Sequence, residues 1–377
     1  MKIQQMAQTA RQAAGRLTTI SAEQKNKALQ MIAAALRDGS DRIHEANAAD
    51  LQRSRQEGLP EPLVKRLSFS AEKLEDVLSG IDSLIRLPDP VGRTLLTTQL
   101  DHGLDLYRVS CPIGVIGVIF ESRPDALVQI STLCLKSGNA VLLKGGSEAR
   151  ETNLVLTDII CKAGQAAGLP EGWINLLESR LAVQELLQED ESVDLLIPRG
   201  SNEFVRYIMD HTRIPVMGHA DGVCHLYIDA AADASMAISL ALDSKTQYVA
   251  VCNAVETILI HEDRAADLLQ PLAGALRHAG VTVYGCRRTC ELLGCQPVAD
   301  WHTEYLDYKV SLRIVADTNE AVRHINRYGS HHTDVIVTAD EPAARHFLVA
   351  VDSGNVFWNC STRFSDGFRY GFGAEVG

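Results

Sequence analysis

Residues 112–147 read PIGVIGVIFESRPDALVQISTLCLKSGNAVLLKGGS, and this stretch decides the fold. An apolar, β-branched run over 113–120 predicts a buried strand. A turn follows with Glu121, Ser122, Arg123 and Pro124, then an apolar helix, a Gly138-Asn139 stop, and a second buried strand ending at Lys144. Continuous apolar strands flanking a helix are the pattern of a parallel βαβ unit, whose strands are buried on both faces. In open α/β sheets the chemistry gathers where strands end. Here those ends carry Glu121, Ser122 and Arg123 after one strand, and Lys144 and Ser147 after the other. A strand-terminal lysine beside small residues suits the ribose and phosphates of a nucleotide. On the residues alone, Lys144 and Arg123 read equally well as solvated loop cations.

Working outward, the first ninety or so residues read as helices. Ser21-Ala-Glu-Gln24 forms a capping box, and Ala28, Ile32, Ala35 and Leu36 give one apolar stripe that Gly39 ends. Pro88-Asp-Pro90 breaks the helical pattern. A hairpin is expected next, from Thr94 to Leu100, a turn at Asp101-His102-Gly103, and Leu104 to Val109; alone it would be unstable, so it reads as an arm that pairs with something. Beyond Lys144 the alternation predicts a helix over 148–167, strands over 173–177 and 193–197, and the turn Pro198-Arg199-Gly200-Ser201. Strands over 214–217 and 223–229 complete one doubly wound domain. No G-x-G-x-x-G follows any strand, so a dinucleotide here is held differently from the common manner. From about Asp229 a second α/β unit is expected, with strands over 256–261, 281–285, 309–315, 334–338 and 355–358 and a cleft between the units.

The 377 residues carry a net charge of -12, are 46% hydrophobic and 22% charged, and fit a multi-domain globular protein. No face is basic enough for a general nucleic-acid binder. No apolar run approaches the roughly 20 residues of a membrane span, and the first residues lack the apolar block of a secretion signal, so a cytoplasmic protein is expected. The nine cysteines, without a C-x-x-C pair, read as reduced thiols rather than a disulfide framework. Cys286, Cys290 and Cys295 lie close together, but their spacing does not match a zinc site, and no metal is expected.

One thiol stands out. Cys252 lies in Ser244-Lys-Thr-Gln-Tyr-Val-Ala-Val-Cys252-Asn-Ala, between a helix and a buried strand. There, backbone donors can stabilise a thiolate. A buried structural thiol is the alternative, and it suits Cys134 and Cys224 better.

Four signatures then carry a resemblance over essentially the whole chain. They are Phe120-Glu-Ser-Arg-Pro-Asp125, Leu143-Lys-Gly-Gly-Ser-Glu148, Tyr248-Val-Ala-Val-Cys-Asn-Ala254 and Ser361-Thr-Arg-Phe-Ser-Asp-Gly367. Together the sequence resembles the γ-glutamyl phosphate reductase family of the aldehyde dehydrogenase superfamily. The resemblance implies an α/β fold of aldehyde dehydrogenase type: a Rossmann-type NADP-binding domain (1–93 and 110–228), a β-hairpin oligomerisation arm (94–109), a catalytic domain (229–360), and a return segment (361–377). The implied reaction is the second step of proline biosynthesis from glutamate, the NADPH-dependent reduction of γ-glutamyl phosphate to glutamate 5-semialdehyde.

On that resemblance, Cys252 is the nucleophile that forms a thioacyl enzyme, with Ser122 and the Cys252 backbone N–H as oxyanion donors. Lys144 falls on the lysine that binds the adenosine ribose. Ser147 stands where NAD-preferring relatives place an acid, which favours a 2′-phosphate and hence NADPH. Arg199, Gly200 and Ser201 match the turn near the pyrophosphate, and Glu304 matches the glutamate holding the nicotinamide ribose. Arg123 and Arg363 are the candidates for the substrate's anionic groups, Asp366 or Glu121 for its ammonium, with Asn253 also in the substrate site. The stretch Gly218-His-Ala-Asp-Gly-Val223 lacks the glutamate that activates water in hydrolytic relatives, as a phosphate-releasing reductase requires.

Family members continue for a few dozen residues past Gly377, including a strand that pairs with a neighbouring subunit's arm. The expected homo-oligomer is therefore set against an arm without that strand. A glutamate kinase is a further candidate partner. Two rival readings are an NAD-dependent oxidation of a small aldehyde and a catalytically silent oligomer subunit.

Overall fold

In a computed structural model of the chain, the described residues are 2–121, 123–178, 181–218, 221–367 and 369–371. They form two compact units that divide after Gly218, the described part of the second running to Gly371.

In the first unit the helix of the Ser21 capping box forms as its cap and apolar stripe predict. Ser21 accepts from the Gln24 backbone N–H at 3.2 Å and starts the helix Ala22–Asp38, which buries Ala28, Leu29, Ile32, Ala33 and Leu36. The hairpin is β1 (Thr94–Asp101) with β2 (Leu104–Val109), antiparallel and exposed along its whole length, Leu95, Leu96, Leu100 and Leu106 included. Then come β3 (Val115–Ile119), β4 (Ala140–Lys144), β5 (Ile174–Leu176) and β6 (Leu195–Pro198), in a parallel sheet ordered β5-β4-β3-β6. Every residue of β3 and β4 is buried, which is why neither strand shows polar alternation. Full burial of each Val, Leu or Ile in this core contributes about 1.5–3 kcal/mol. Pro124–Lys136 forms the crossover helix, and Gly138 ends it at φ 75°, a conformation natural to glycine.

The second unit holds β7 (Cys224–Ile228), β8 (Val255–His261), β9 (Thr282–Gly285), β10 (Gln296–Pro297), β11 (Lys309–Val315), β12 (Thr333–Val337) and β13 (Asn355–Trp358). They form one parallel sheet in the order β10-β9-β11-β8-β7-β12-β13. Helices Ala234–Thr246, Ala265–His278, Thr318–Tyr328 and Glu341–Ala350 make the crossovers. Asp317 caps Thr318–Tyr328 by accepting from the Glu320 N–H at 2.7 Å.

Three local expectations are corrected. The strand expected over 223–229 forms, but it pairs with β8 and β12 in the second sheet rather than closing the first. A strand buried on both faces carries no mark of which sheet it joins. Residues 214–217 make only a bridge, Val216 to Leu196, because Pro215 has no N–H to extend the ladder. Helices Arg287–Leu293 and Glu341–Ala350 occupy segments where the sequence reading placed none. Among the described residues no helix is long and apolar enough to cross a membrane.

Candidate active site

The first unit's candidates meet along one sheet edge. Parallel pairing sets Ile119 beside Lys144 and Pro198, so β3, β4 and β6 end together. Past those ends lie Glu121 and Arg123, Lys144 and Ser147, and Arg199 to Ser201. Lys144 is buried and donates to the Gly145 carbonyl at 2.5 Å, which fixes its ammonium at the turn. Ser147 is exposed, and the Arg53 guanidinium beneath it donates to the Ser147 and Glu148 carbonyls at 3.3 and 3.1 Å. Gly200 adopts φ 152°, and Ser201 caps the helix Asn202–Asp210 by accepting from the Phe204 N–H.

The substrate candidates on this edge have other partners. Arg123 donates to Asp125 at 3.0 Å, and Glu121 stands 4.0 Å from Arg66 in an exposed pair. The Glu121–Arg66 pair is exposed on both sides and contributes little, so Glu121 can be recruited at small cost, whereas the carboxylate that holds Arg123 is buried. Ser122 lies outside the described residues.

In the second unit the Cys252 loop, residues 247–254, joins the helix Ala234–Thr246 to β8. Cys252 is half-buried, and none of the nine cysteines is in a disulfide. Its peptide packs against Gly222 so closely that a Cβ on Gly222 would lie 2.3 Å from the Cys252 carbonyl oxygen and 2.5 Å from its Cα. The same Cβ would lie 2.7 Å from Glu304 Oε1, the atom that accepts the Gly222 N–H at 2.9 Å. Cys224, fully buried at the start of β7, donates its S–H to the Cys252 carbonyl at 3.0 Å. Burial holds that thiol protonated, its pKa pushed well up, so it acts as a donor and not as a second nucleophile.

The 361–367 signature comes to the same loop. Ser244 accepts from the Thr362 N–H at 3.1 Å and meets the Ser361 hydroxyl at the same distance. From that anchor Arg363 donates to Gln247 at 3.2 Å and to the side-chain oxygen of Asn253, while Asn253 donates to the Ser365 carbonyl at 2.8 Å. Burial, then the like charge of Arg369, pushes the Arg363 pKa down. Neutral amides hold this guanidinium without neutralising it, and Cys252 is among the groups that act on it electrostatically. The structure thus brings together Cys252, Asn253, Glu304 and Arg363. Asp366 accepts the Arg369 N–H at 3.1 Å in the adjoining turn.

The sequence reading missed Gly222, Cys224, Gln247, Arg53 and a buried pair, Lys245 with Glu256. Only that pair left a legible trace, as opposite charges at both ends of the cysteine loop in otherwise apolar elements.

Comparison with known proteins bears on this arrangement. The aldehyde dehydrogenase family model matches residues 1–283. Gamma-glutamyl phosphate reductases of Acetivibrio thermocellus and Pelotomaculum thermopropionicum are each 61% identical over the whole chain, which covers 88% and 87% of their lengths. The crystal structure of gamma-glutamyl phosphate reductase from Thermotoga maritima superposes with a TM-score of 0.97 at 35% identity, covering 100% of this chain and 92% of that one.

Proposed function

The chain belongs to the aldehyde dehydrogenase family and, within it, to the γ-glutamyl phosphate reductases, and from that premise we propose how its residues reduce γ-glutamyl phosphate to glutamate 5-semialdehyde, the second step of proline biosynthesis. The observation that carries the mechanism is the packing of the Cys252 peptide on side-chainless Gly222, beside Glu304 and the cationic Arg363.

The Cys252 thiolate attacks the acyl carbon, the carbon–oxygen bond to phosphate breaks, and phosphate leaves as a stable anion. The Cys252 backbone N–H, with Ser122 as second candidate, donates to the oxyanion. A reduced nicotinamide, when bound, would supply a hydride to the thioacyl carbon, leaving a tetrahedral carbon that still carries the sulfur and an oxyanion whose carbonyl re-forms as the aldehyde. The carbon–sulfur bond then breaks and the thiolate returns. Gly222 stands in the stretch where hydrolytic relatives place their water-activating glutamate; that stretch, 218–223, holds no glutamate, so the proposal has no such base to divert the thioester to water.

On the first unit's sheet edge the proposal gives Lys144 the adenosine ribose and Arg199, Gly200 and Ser201 the pyrophosphate; in the second unit, taken by itself, it gives Glu304 the nicotinamide ribose. NADPH is preferred in this proposal because exposed Ser147 with Arg53 behind it accepts a 2′-phosphate. Arg363 and Arg123 take the substrate's anionic groups, Asp366 or Glu121 its ammonium, with Asn253 orienting Arg363. From the family, the proposal extends to a cytoplasmic homo-oligomer associating through the exposed hairpin, with a glutamate kinase as candidate partner. Sedimentation at equilibrium tests the oligomer, which a purely monomeric profile rejects.

Cys252→Ala tests the mechanism. It is expected to abolish phosphate-dependent oxidation of glutamate semialdehyde by NADP while leaving the far-UV spectrum and Tm in place. Activity at the parental level in that variant removes the nucleophile assignment.

A further inference from the structure

The geometry points to Lys245 and Glu256 as positioning residues that hold the nucleophile loop and the Glu304 segment in register with each other. The inference rests on the roles proposed above for Cys252 and Glu304. Both side chains are fully buried, and the ammonium donates to Glu256 Oε2 at 2.6 Å. Lys245 is the penultimate residue of the helix before the cysteine loop, and Glu256 is the second residue of β8 after it. The ion pair therefore closes the base of the loop that carries Cys252.

The other carboxylate oxygen faces a second segment. Glu256 Oε1 accepts the Leu306 backbone N–H at 3.2 Å, and Leu306 adopts φ 49°, which a non-glycine residue takes only when its surroundings impose it. Two residues earlier Glu304 accepts the Gly222 N–H, and Gly222 lies against the Cys252 peptide. The contacts make a closed circuit: Cys252 peptide, Gly222, Glu304, Leu306, Glu256, Lys245 and back through the loop. Moving either catalytic segment strains the other through this circuit.

Stability alone does not account for the pair. Well-packed apolar residues in place of a buried ion pair are often neutral or stabilising. Burial pushes the Glu256 pKa up to about 7 and pushes Lys245 down, so keeping both charges here works against their desolvation. What an apolar pair cannot supply is two oriented acceptors, one for each segment.

The test uses Glu256→Gln, Lys245→Met and the double variant in the full chain. A glutamine offers one acceptor oxygen in place of two, so it gives up either the lysine or the Leu306 N–H. Glu256→Gln is expected to lower kcat about tenfold or more and to raise the KM for NADP together with it, since misplacing reacting groups by ~1 Å costs up to about a hundredfold. Lys245→Met keeps the Leu306 bond; it is expected to slow iodoacetamide alkylation at Cys252, read by mass spectrometry, while the KM for NADP stays within about twofold, below the tenfold scale of a lost oriented contact.

The double variant buries no uncompensated charge. It is expected to recover the parental Tm but not the parental kcat. Folded single variants whose kcat, KM and alkylation rate all match the parent overturn the proposal. So does a double variant that regains kcat along with Tm, or one that fails to fold. The alkylation measurement needs neither cofactor nor turnover. A failed Cys252→Ala test would thus reject the reaction mechanism and leave the positioning claim separately measurable.

Discussion

Gly222→Ala isolates one contact. Gly222 is not among the glycines with positive φ, so alanine meets no backbone penalty there, and the whole effect is steric. The added Cβ would sit 2.3 Å from the Cys252 carbonyl oxygen and 2.5 Å from its Cα, where ordinary contact begins at 3.4 Å. Both atoms are main chain and cannot rotate away, so the loop or β7 must yield by about 1 Å. Overpacking of this size costs roughly 1–3 kcal/mol of stability. The functional cost is larger, because a displacement of ~1 Å at a reacting atom lowers the rate by up to about a hundredfold. Phosphate-dependent reduction of NADP by glutamate semialdehyde is the assay, with Tm recorded in parallel. The expected result is a kcat reduced on the order of a hundredfold with a Tm lowered by only a few degrees. A variant that keeps parental kcat would show that the Cys252 peptide is not held in place by this contact.

Ser147→Glu places a carboxylate where the 2′-phosphate is proposed to sit. Repulsion across a few ångströms of screened solvent is worth about 1–2 kcal/mol, so NADPH affinity should fall about tenfold while NADH is unaffected; equal losses for both cofactors would count against Ser147 as the discriminating residue. A pH prediction follows from His324. Burial, reinforced by the positive charges of His225, Arg313 and His302 when present, pushes its pKa down from 6.5 to about 2. A base depressed in the folded state stabilises the fold fully above its unfolded pKa of about 6.5 and loses that contribution as pH falls towards about 2, at roughly 1.4 kcal/mol per pH unit. Denaturant unfolding at pH 6.5 and 5.0 should therefore show a steeper loss in the parent than in His324→Gln, and parallel losses would dismiss the assignment.

The fold was legible where one local rule sufficed. Runs such as 115–119 and 140–144 mark strands buried on both faces, and Ser21 and Asp317 mark helix starts because their side chains satisfy N–H groups only a few residues away. The membership of β7 was not legible, because its burial is the same in either sheet. The arm at 94–109 was legible from its turn, though its exposed leucines give no sign in the sequence of what covers them.

The proposed nucleophile of the candidate site could be read from a local feature of the sequence and its surroundings could not, and the sheet explains the difference. Cys252 stands out in the sequence by a loop of amides and small residues between a helix and a buried strand, a local feature. Gly222, Cys252 and Glu304 are brought together because each lies in the segment entering β7, β8 or β11, three strands that are neighbours in the order β11-β8-β7 and all run parallel. Their entry points therefore share one edge of the sheet. The general rule for open α/β sheets directs attention to strand exits, and in the first unit it picks out the candidates Lys144 and Arg199 at the ends of β4 and β6. In the second unit it points away from the edge that carries the candidates Cys252 and Glu304. Strand order is set by the packing of whole faces rather than by any short motif, so a glycine at 222 and a glutamate at 304 gain meaning only once β8 is known to lie between β7 and β11.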